Sequence, residues 1–430
     1  MTGDSPTVSI VVVSHGRPGE LARCLTGLSQ LRYPTFEIVV VACAAGQARV
    51  RETALADAIK LAACDEANIS VARNIGIRLA AGEIVAFVDD DAVPEPLWLD
   101  HLARAFDDGE VVAAGGFTHA RNGIEIASRG AAVGPDGREM PIAVDESIPT
   151  VLTPRPGRAI KLEGTNMAIR RDVLRALGGF DPAYRFYLDD TDLAMRLVGT
   201  GAGRVAVVPL ARMHHASAAS DRRRSDKVAR TLHEVGASLA VLLRRHAPGA
   251  DPAPRLAEER AARRAALLRH MVAGRVEPRD VGRVLATFDA GVAEGLARDL
   301  PDLAPIGDGA TEFLPFLPDR PPREPVAVFG HWSARRRLRQ AARDAAVGGH
   351  VSSIYQFSMT ALYHRVSFTA DGVWKQRGGL WGRSLRTDPL LRPWRMRDRA
   401  AREIERTQDV RGVPRLTAAG RQSVATFGKK

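Results

Sequence analysis

The chain has 430 residues, 45% of them hydrophobic and 26% charged, a globular balance that excludes disorder as the main state and allows two or three domains. No apolar stretch approaches the roughly 20 residues of a membrane-crossing helix. The net charge of +11 is uneven: residues 326–430 hold 21 Lys and Arg against 7 Asp and Glu, and the rest is slightly acidic. The C-terminal part therefore calls for an anionic partner, a lipid headgroup surface or a polyanionic glycan, with nucleic acid fitting least.

Asp4 precedes an apolar run with neither the basic start nor the cleavage pattern of a secretory signal. The expected location is the cytoplasm, with peripheral contact at the inner face of an anionic membrane through residues 326–430. Cys24, Cys43 and Cys64 are odd in number and lack CxxC spacing, which points away from disulfides and zinc and reads as small core residues.

In chain order, Val8–Val13 reads as a strand, Pro18–Leu31 as a helix and Phe36–Val41 as a second strand. A helical pattern covers Val50–Ala63 and another Val71–Ala80, and the strand Ile84–Val88 runs into Asp89-Asp90-Asp91. Strands without polar alternation imply a sheet covered on both faces, hence a doubly wound, mostly parallel α/β fold. Ligands in such sheets collect at the carboxyl ends of strands, where the three aspartates lie.

Residues 115–158 read as loops and short strands over the sheet. Met167–Ile169 follows as a strand, Arg171–Leu177 and Asp190–Val198 as helices, and Val205–Val208 as a strand ended by Pro209. The expected division is a catalytic domain over 1–224, a helical segment over 225–314, a Pro-rich linker over 315–325 and a basic domain over 326–430. The last begins with a βαβ pattern. Its Trp374, Trp381 and Trp394, set among arginines, read as an interfacial or glycan-contacting surface rather than a core.

The chemistry concentrates in FVDDD, Phe87 to Asp91. Adjacent carboxylates at a strand end repel one another unless a cation sits among them, and a hard divalent ion takes such oxygen ligands and bridges them to phosphate. FVDDD stands in a series: VSIVVVSHGRP from Val8, NISVARNIGIRLAAGEIVAFVDDDAVPEPLWL from Asn68, GTNMAIRRDVLRALGGFDPAYRFYLDDTDLAMRL from Gly164 and HHASAAS from His214. Over about residues 8–220 the chain resembles the family 2 glycosyltransferases of the GT-A fold, of the kind that build bacterial surface or exported polysaccharide.

That resemblance implies an inverting transfer of sugar from a nucleotide-diphosphate sugar to the hydroxyl of a glycan or lipid-linked acceptor. It makes Asp89 and Asp91 the pair that holds Mg²⁺ or Mn²⁺, with His215 completing the metal site in preference to His214. Ser14, Arg73, Asp89 and Asp90 are assigned to the donor, with Asp90 read as little more than a spacer. Gly164, Thr165 and Asn166 are assigned to the acceptor and donor sugar. Asp190 is the expected general base and Asp189 the second candidate; capping of the helix end suits Asp189 and Asp192. Trp98 reads as a packing aromatic. Family members often carry an aspartate just after the second strand to contact the nucleotide base, whereas Ala42 and Cys43 stand here, so the resemblance leaves the base unspecified. The alternatives are a nucleotidyltransferase, for which SHGRPGE makes a poor phosphate loop, and a non-catalytic glycan- or anionic-surface-binding protein.

Overall fold

The computed structural model describes residues 5–418 except 202, 217, 218, 308 and 310, so Asp4 and two positions of HHASAAS lie outside the described residues. The chain opens with β1 (Val8–Ser14), α1 (Pro18–Leu28), β2 (Phe36–Ala42), α2 (Ala44–Arg51), β3 (Ile59–Ala63) and α3 (Ile69–Leu79). β4 (Ile84–Asp89), β5 (Ala92–Pro94), α4 (Trp98–Ala103) and β6 (Val111–His119) follow. Short strands β7 (Ile126–Ser128), β8 (Ala131–Val133), β9 (Glu139–Met140), β10 (Thr150–Leu152) and β11 (Ala159–Lys161) lead to β12 (Met167–Arg170), α5 (Arg171–Ala176), α6 (Asp189–Thr200) and β13 (Arg204–His215).

The main sheet runs β3-β2-β1-β4-β12-β6-β13-β10. β3, β2, β1 and β4 are parallel, β12 is antiparallel to β4 and β6, and β6 and β13 are parallel again. Every residue of β1 and β2 is buried. Val8, Ile10 and Val12 pack on Leu21, Leu25 and Leu28 of α1, while Val11 and Val13 pack on Ala72 and Ile77 of α3. Each such aliphatic side chain stabilises by about 1.5–3 kcal/mol on burial, so both faces resist a slip of register.

Three expectations are corrected. Ile59–Ala63 is an edge strand on β2 instead of the end of a helix, because pairing outweighs a weak local pattern over five residues. Residues 111–119, partly read as loop, form a central strand. Gly116 hides its signal: a Cβ there would stand 1.7 Å from the Ala211 carbonyl oxygen, so close strand contact, not β-propensity, selects the glycine. β13 continues past Pro209 to His215, through an irregularity between Val208 and Met213 that takes the proline out of the ladder. Cys24 is a core residue, but Cys43 and Cys64 are only half-buried.

Helices α7 (His233–His246), α8 (Ala253–Val272) and α9 (Pro278–Ala297) form a packed group beside the sheet. The rest comprises β14 (Pro325–His331), α10 (Arg335–Val347), β15 (Val351–Ser358), β16 (Arg365–Phe368), β17 (Val373–Gly379), α11 (Met396–Arg411) and β18 (Arg415–Ala418). Its sheet runs β16-β17-β15-β14-β18, and β14-α10-β15 is the βαβ unit the sequence predicts. The tryptophans pack instead of forming a surface. Trp374 is 1% exposed among Val93, Ile124, Val351 and Val366 and donates to Gln30 Oε1 at 3.1 Å, while Trp381 and Trp394 lie half-buried beside Phe357 and Ala400. Alternation along β17 turns Trp374 toward apolar partners that only the fold supplies. Among the described residues no helix is long and apolar enough to cross a membrane.

Candidate active site

The three aspartates at the tip of β4 do not act alike. Asp89 and Asp91 meet His215, and one ligand atom from each lies within 4.8 Å of the others. His215 Nε2 is 3.0 Å from Asp91 Oδ1. Two carboxylates and an imidazole make a mixed O,N set suited to a divalent ion such as Mn²⁺, so the residues present fit the cation that the resemblance implies. Asp90 points the other way and is wholly buried. It accepts from Ser14 Oγ at 2.7 Å and from Arg17 Nε at 3.2 Å. Burial pushes its carboxyl up to about 7, against the opposing pull of Arg17 and Ser14. Asp90 is thus neither a mere spacer nor a donor contact: it anchors the strand tip to Ser14 and Arg17.

The histidines are sorted by strand pairing. β5 runs antiparallel to the end of β13, with His215 opposite Ala92 and His214 opposite Val93. Alternation then sends His215 toward Asp91 and His214 to the other face. There His214 stacks on His119 at 4.6 Å and meets Glu95 Oε1 at 2.7 Å. Burial lowers the His215 pKa, but the Asp91 carboxylate outweighs it and raises the value on balance.

Arg73 joins the two acidic sets. α3 begins at Asn68, whose side chain accepts from the Ser70 and Val71 amides, and it closes on β1 because Gly76 has no Cβ; one there would lie 2.3 Å from Val11 Cγ1. This brings Arg73, 3% exposed, under the tip of β4. Its Nη1 pairs with Asp189, while Nη2 donates to Asp89 Oδ1 at 3.2 Å and to the Gly164 carbonyl at 2.9 Å. The Phe180 ring lies 5.0 Å from the guanidinium. Arg73 is therefore a buried bridge, its charge shared by two carboxylates.

α6 starts after Leu188, a non-glycine residue held in left-handed backbone at φ 65°. Such a conformation costs roughly 1–2 kcal/mol and persists only where the surroundings impose it. Asp189 is buried, and that burial pushes its carboxyl up to about 7, with Arg73 opposing. Asp190 is half-buried; it accepts from the Gly164 amide at 3.3 Å and from Thr191 Oγ1 at 3.2 Å, with Lys161 Nζ 3.9 Å away. Burial pulls the Lys161 ammonium down, but Asp190, Glu163 and Glu139 more than offset it and keep it charged. The Asp189 carboxylate is taken up by Arg73. Asp192 pairs instead with Arg196 at 2.8 Å and His246 at 2.9 Å.

GTN divides likewise. Gly164 contacts Arg73 and Asp190 through its backbone, and Thr165 Oγ1 accepts from the Asp89 amide at 3.2 Å. Asn166 cannot reach a sugar: it is wholly buried, its Oδ1 takes the Trp98 indole N–H at 2.7 Å, and its Nδ2 donates to the Phe117 and Ala211 carbonyls. Trp98 is the packing aromatic expected of it.

A cavity of about 370 Å³ adjoins this centre, lined among others by Ser14, Arg17, Glu66, Phe186 and Arg222. Ser14 lines it, and the Arg222 guanidinium lies 4.2 Å from the Phe186 ring. Ala42 is fully buried and does not line it, whereas Glu66, three residues past the edge strand, supplies a carboxylate at its wall. Sequence reasoning missed Arg17, Glu95, Lys161 and Glu163. Arg17 and Glu95 sit within quoted segments and Lys161 and Glu163 lie outside them, and each gains its meaning only from its neighbours.

An α/β sheet with carboxylates and a histidine gathered at one strand tip, a second acidic set across a shared arginine and an adjoining cavity makes a ligand-binding site at the carboxyl ends of the strands. Residues 6–247 match the family described as Glycosyltransferase like family 2, and the chain belongs to that family. It is 30% identical over 241 residues to the O-antigen biosynthesis protein RfbC of Myxococcus xanthus, which covers 52% of this chain and 18% of that protein. It is also 30% identical over 134 residues to glycosyltransferase AglE of Haloferax volcanii, covering 29% and 44% respectively. The chain spans less than half the length of each of these curated relatives. Among solved structures it is similar to the mannosyltransferase PcManGT from Pyrobaculum calidifontis in complex with GDP-Man and Mn²⁺ (21% identity, TM-score 0.41, 68% of this chain and 87% of that one). It is also similar to GalNAc-T7 with UDP, GalNAc and Mn²⁺ (16% identity, TM-score 0.41, 49% and 44%).

Proposed function

We propose that the chain transfers a sugar from a nucleotide-diphosphate sugar to a hydroxyl of a glycan or lipid-linked acceptor, with inversion at the sugar carbon. Family membership supports the reaction class, and similarity to an O-antigen biosynthesis protein supports surface polysaccharide as its setting. The observation that carries the reading is Arg73, which touches both Asp89 and Asp189 and so holds the two acidic sets around one centre.

Asp89, Asp91 and His215 would hold the divalent ion, Mg²⁺ or Mn²⁺. When bound, such an ion supplies Lewis-acid stabilisation to a departing diphosphate. The chain's own groups do the rest. Asp190 accepts the acceptor's proton: it is half-buried and hydrogen-bonded by the Gly164 amide and the Thr191 hydroxyl, with the Lys161 ammonium 3.9 Å away, whereas Asp189 is spent on Arg73. Arg73 is a positioning residue, fixing Asp89 and Asp189 relative to each other. Ser14, Arg17 and Arg222 line the cavity; the Ser14 hydroxyl and Arg17 are held by Asp90, and the Arg222 guanidinium offers donors for a nucleotide with its phosphates. The Lys and Arg excess of residues 326–430 supports contact with an anionic partner, such as the charged surface of a membrane.

The test is a panel of nucleotide sugars with Mn²⁺ and the full chain, scored by the phosphate product. Nucleoside diphosphate release is expected; pyrophosphate release would instead indicate nucleotidyl transfer. Asp190→Asn should abolish transfer while keeping metal-dependent donor binding, and Asp91→Asn should lose both. Parental turnover by Asp190→Asn would refute the base assignment.

A further inference from the structure

The face of the C-terminal sheet that carries α10 is crowded with positive charge. Val328, Ile354 and Val373 pack beneath Leu338 and Ala342 of α10. Side chains alternate across a strand, so Lys375 and Arg377 of β17, two and four residues past Val373, share that face. β16 pairs antiparallel with β17 and places Arg365 directly opposite Arg377, a like-charge pairing that costs stability. α10 adds Arg339 and Arg343 from above.

Five cations thus meet one acid. Asp371 bonds to Arg343 at 2.8 Å, and among the described residues Arg339, Arg365, Lys375 and Arg377 make no ion pair. Arg339, Arg343, Lys375 and Asp371 line a cavity of about 260 Å³ whose floor is Ala342, Ile354 and Val373. The Lys375 pKa is lowered by burial and then by Arg339 and Arg377, the sign expected of a cation with no anion beside it. Gln356 adds an independent observation. It pairs in register with Arg377 on one side and Gly330 on the other, it is 1% exposed, and neither its amide nitrogen nor its oxygen has a partner. A buried amide without a partner is destabilising, so it and the opposed arginines are both unpaired features of one row across the sheet.

We propose that this groove is a binding site for a phosphate-bearing anion, with Arg339, Lys375 and Arg377 as its cationic contacts. The inference rests on the reading of residues 326–430 as facing an anionic partner, and it names the groups that do so. Phosphate fits better than a lone carboxylate because its clustered oxygens carry compact multiple charge that guanidinium forks bind in pairs. A phospholipid headgroup and a soluble pyrophosphate-bearing molecule present that same chemistry.

The experiment uses the full chain in the presence of a chelator, which keeps divalent ions out of the candidate active site. One probe is inorganic pyrophosphate, read by calorimetry; the other is vesicles of equal parts phosphatidylglycerol and phosphatidylcholine, read by sedimentation. The parent should bind pyrophosphate, the Lys375→Gln/Arg377→Gln double variant at least tenfold more weakly, and Arg264→Gln, on the exposed face of α8, like the parent. An unchanged thermal midpoint in the double variant excludes misfolding, and Arg377→Lys should recover part of the affinity. If vesicle binding falls in step, the source is a lipid headgroup. If pyrophosphate binding alone is lost in the double variant and the parent ignores vesicles, the groove stands with a soluble ligand and the membrane reading fails. Equal binding of both probes by parent and double variant overturns the groove while leaving the membrane reading intact, and a parent that binds neither probe overturns both.

Discussion

Arg411, at the end of α11, grips Glu95 with two hydrogen bonds of 2.6 and 2.7 Å, both side chains almost wholly buried. Glu95 in turn meets His214, whose chain neighbour is His215. Burial would raise the Glu95 carboxyl, but Arg411 and His214 hold it well below the usual range. The C-terminal module is therefore clamped onto the strand that delivers His215. Arg411→Met should destabilise the chain by about 3–5 kcal/mol, the cost of leaving a buried carboxylate unpaired. Denaturant unfolding measures it, and a loss under 1 kcal/mol would show the clamp to be unimportant. Removing residues 326–430 should act likewise, because it also exposes Gln30 and the face packed on Trp374.

Arg73 is the second such bridge, inside the site itself. A lysine in its place can reach one carboxylate but lacks the fork that spans Asp89 and Asp189. Arg73→Lys should lower kcat or metal affinity by about 10–100-fold with little change in the fold. Transfer kinetics and Mn²⁺ titration together decide this; an unaltered enzyme would mean that the two acidic sets position themselves.

The adjacent histidines should separate cleanly. His215→Ala removes a nitrogen from the Asp89, Asp91 and His215 set and should weaken Mn²⁺ binding at least tenfold, whereas His214→Ala should leave it within a few-fold and chiefly lower stability. Chelation should abolish transfer, and added Mn²⁺ should restore it. Calorimetric titration with Mn²⁺ distinguishes the two variants, and equal losses would undo the assignment of faces.

Acid should loosen the C-terminal module in two stages. His364 is buried against Arg399, and burial, then that charge, hold its pKa near 4 instead of 6.5. The unfolded chain takes up the proton first, so this stability is complete above pH 6.5 and declines toward pH 4, by about 3 kcal/mol for such a shift. Glu403 sits in the same network; burial opposes its ionisation, but Arg406 and Arg399 prevail and hold its carboxyl near 2 instead of 4.5. Its contribution is complete above pH 4.5 and is lost toward pH 2. Unfolding followed against pH should show both slopes, and His364→Gln should flatten the upper one.

The helices over both faces, the parallel strands and the line of acidic motifs were legible in the amino-acid order, because burial on two faces writes continuous β-branched runs and because the site's aspartates sit inside recognisable segments. FVDDD, the aspartates of α6 and the two adjacent histidines were singled out that way. Local sequence carried no trace of what each group would touch. Arg73 lies in the same motif whether it faces phosphate or carboxylates, and the close approach of α3 at Gly76 made it a bridge. Asn166 lost its expected role to three buried partners drawn from α4, β6 and β13. Edge strand Ile59–Ala63 and central strand Val111–His119 escaped notice because pairing and glycine contacts, not propensity, hold them in the sheet. Glu95 and Arg411 are 316 residues apart, a separation across which no periodicity can signal. Patterns of burial repeat along a chain and so can be read from it, but a hydrogen bond between distant side chains exists only once folding has brought them together.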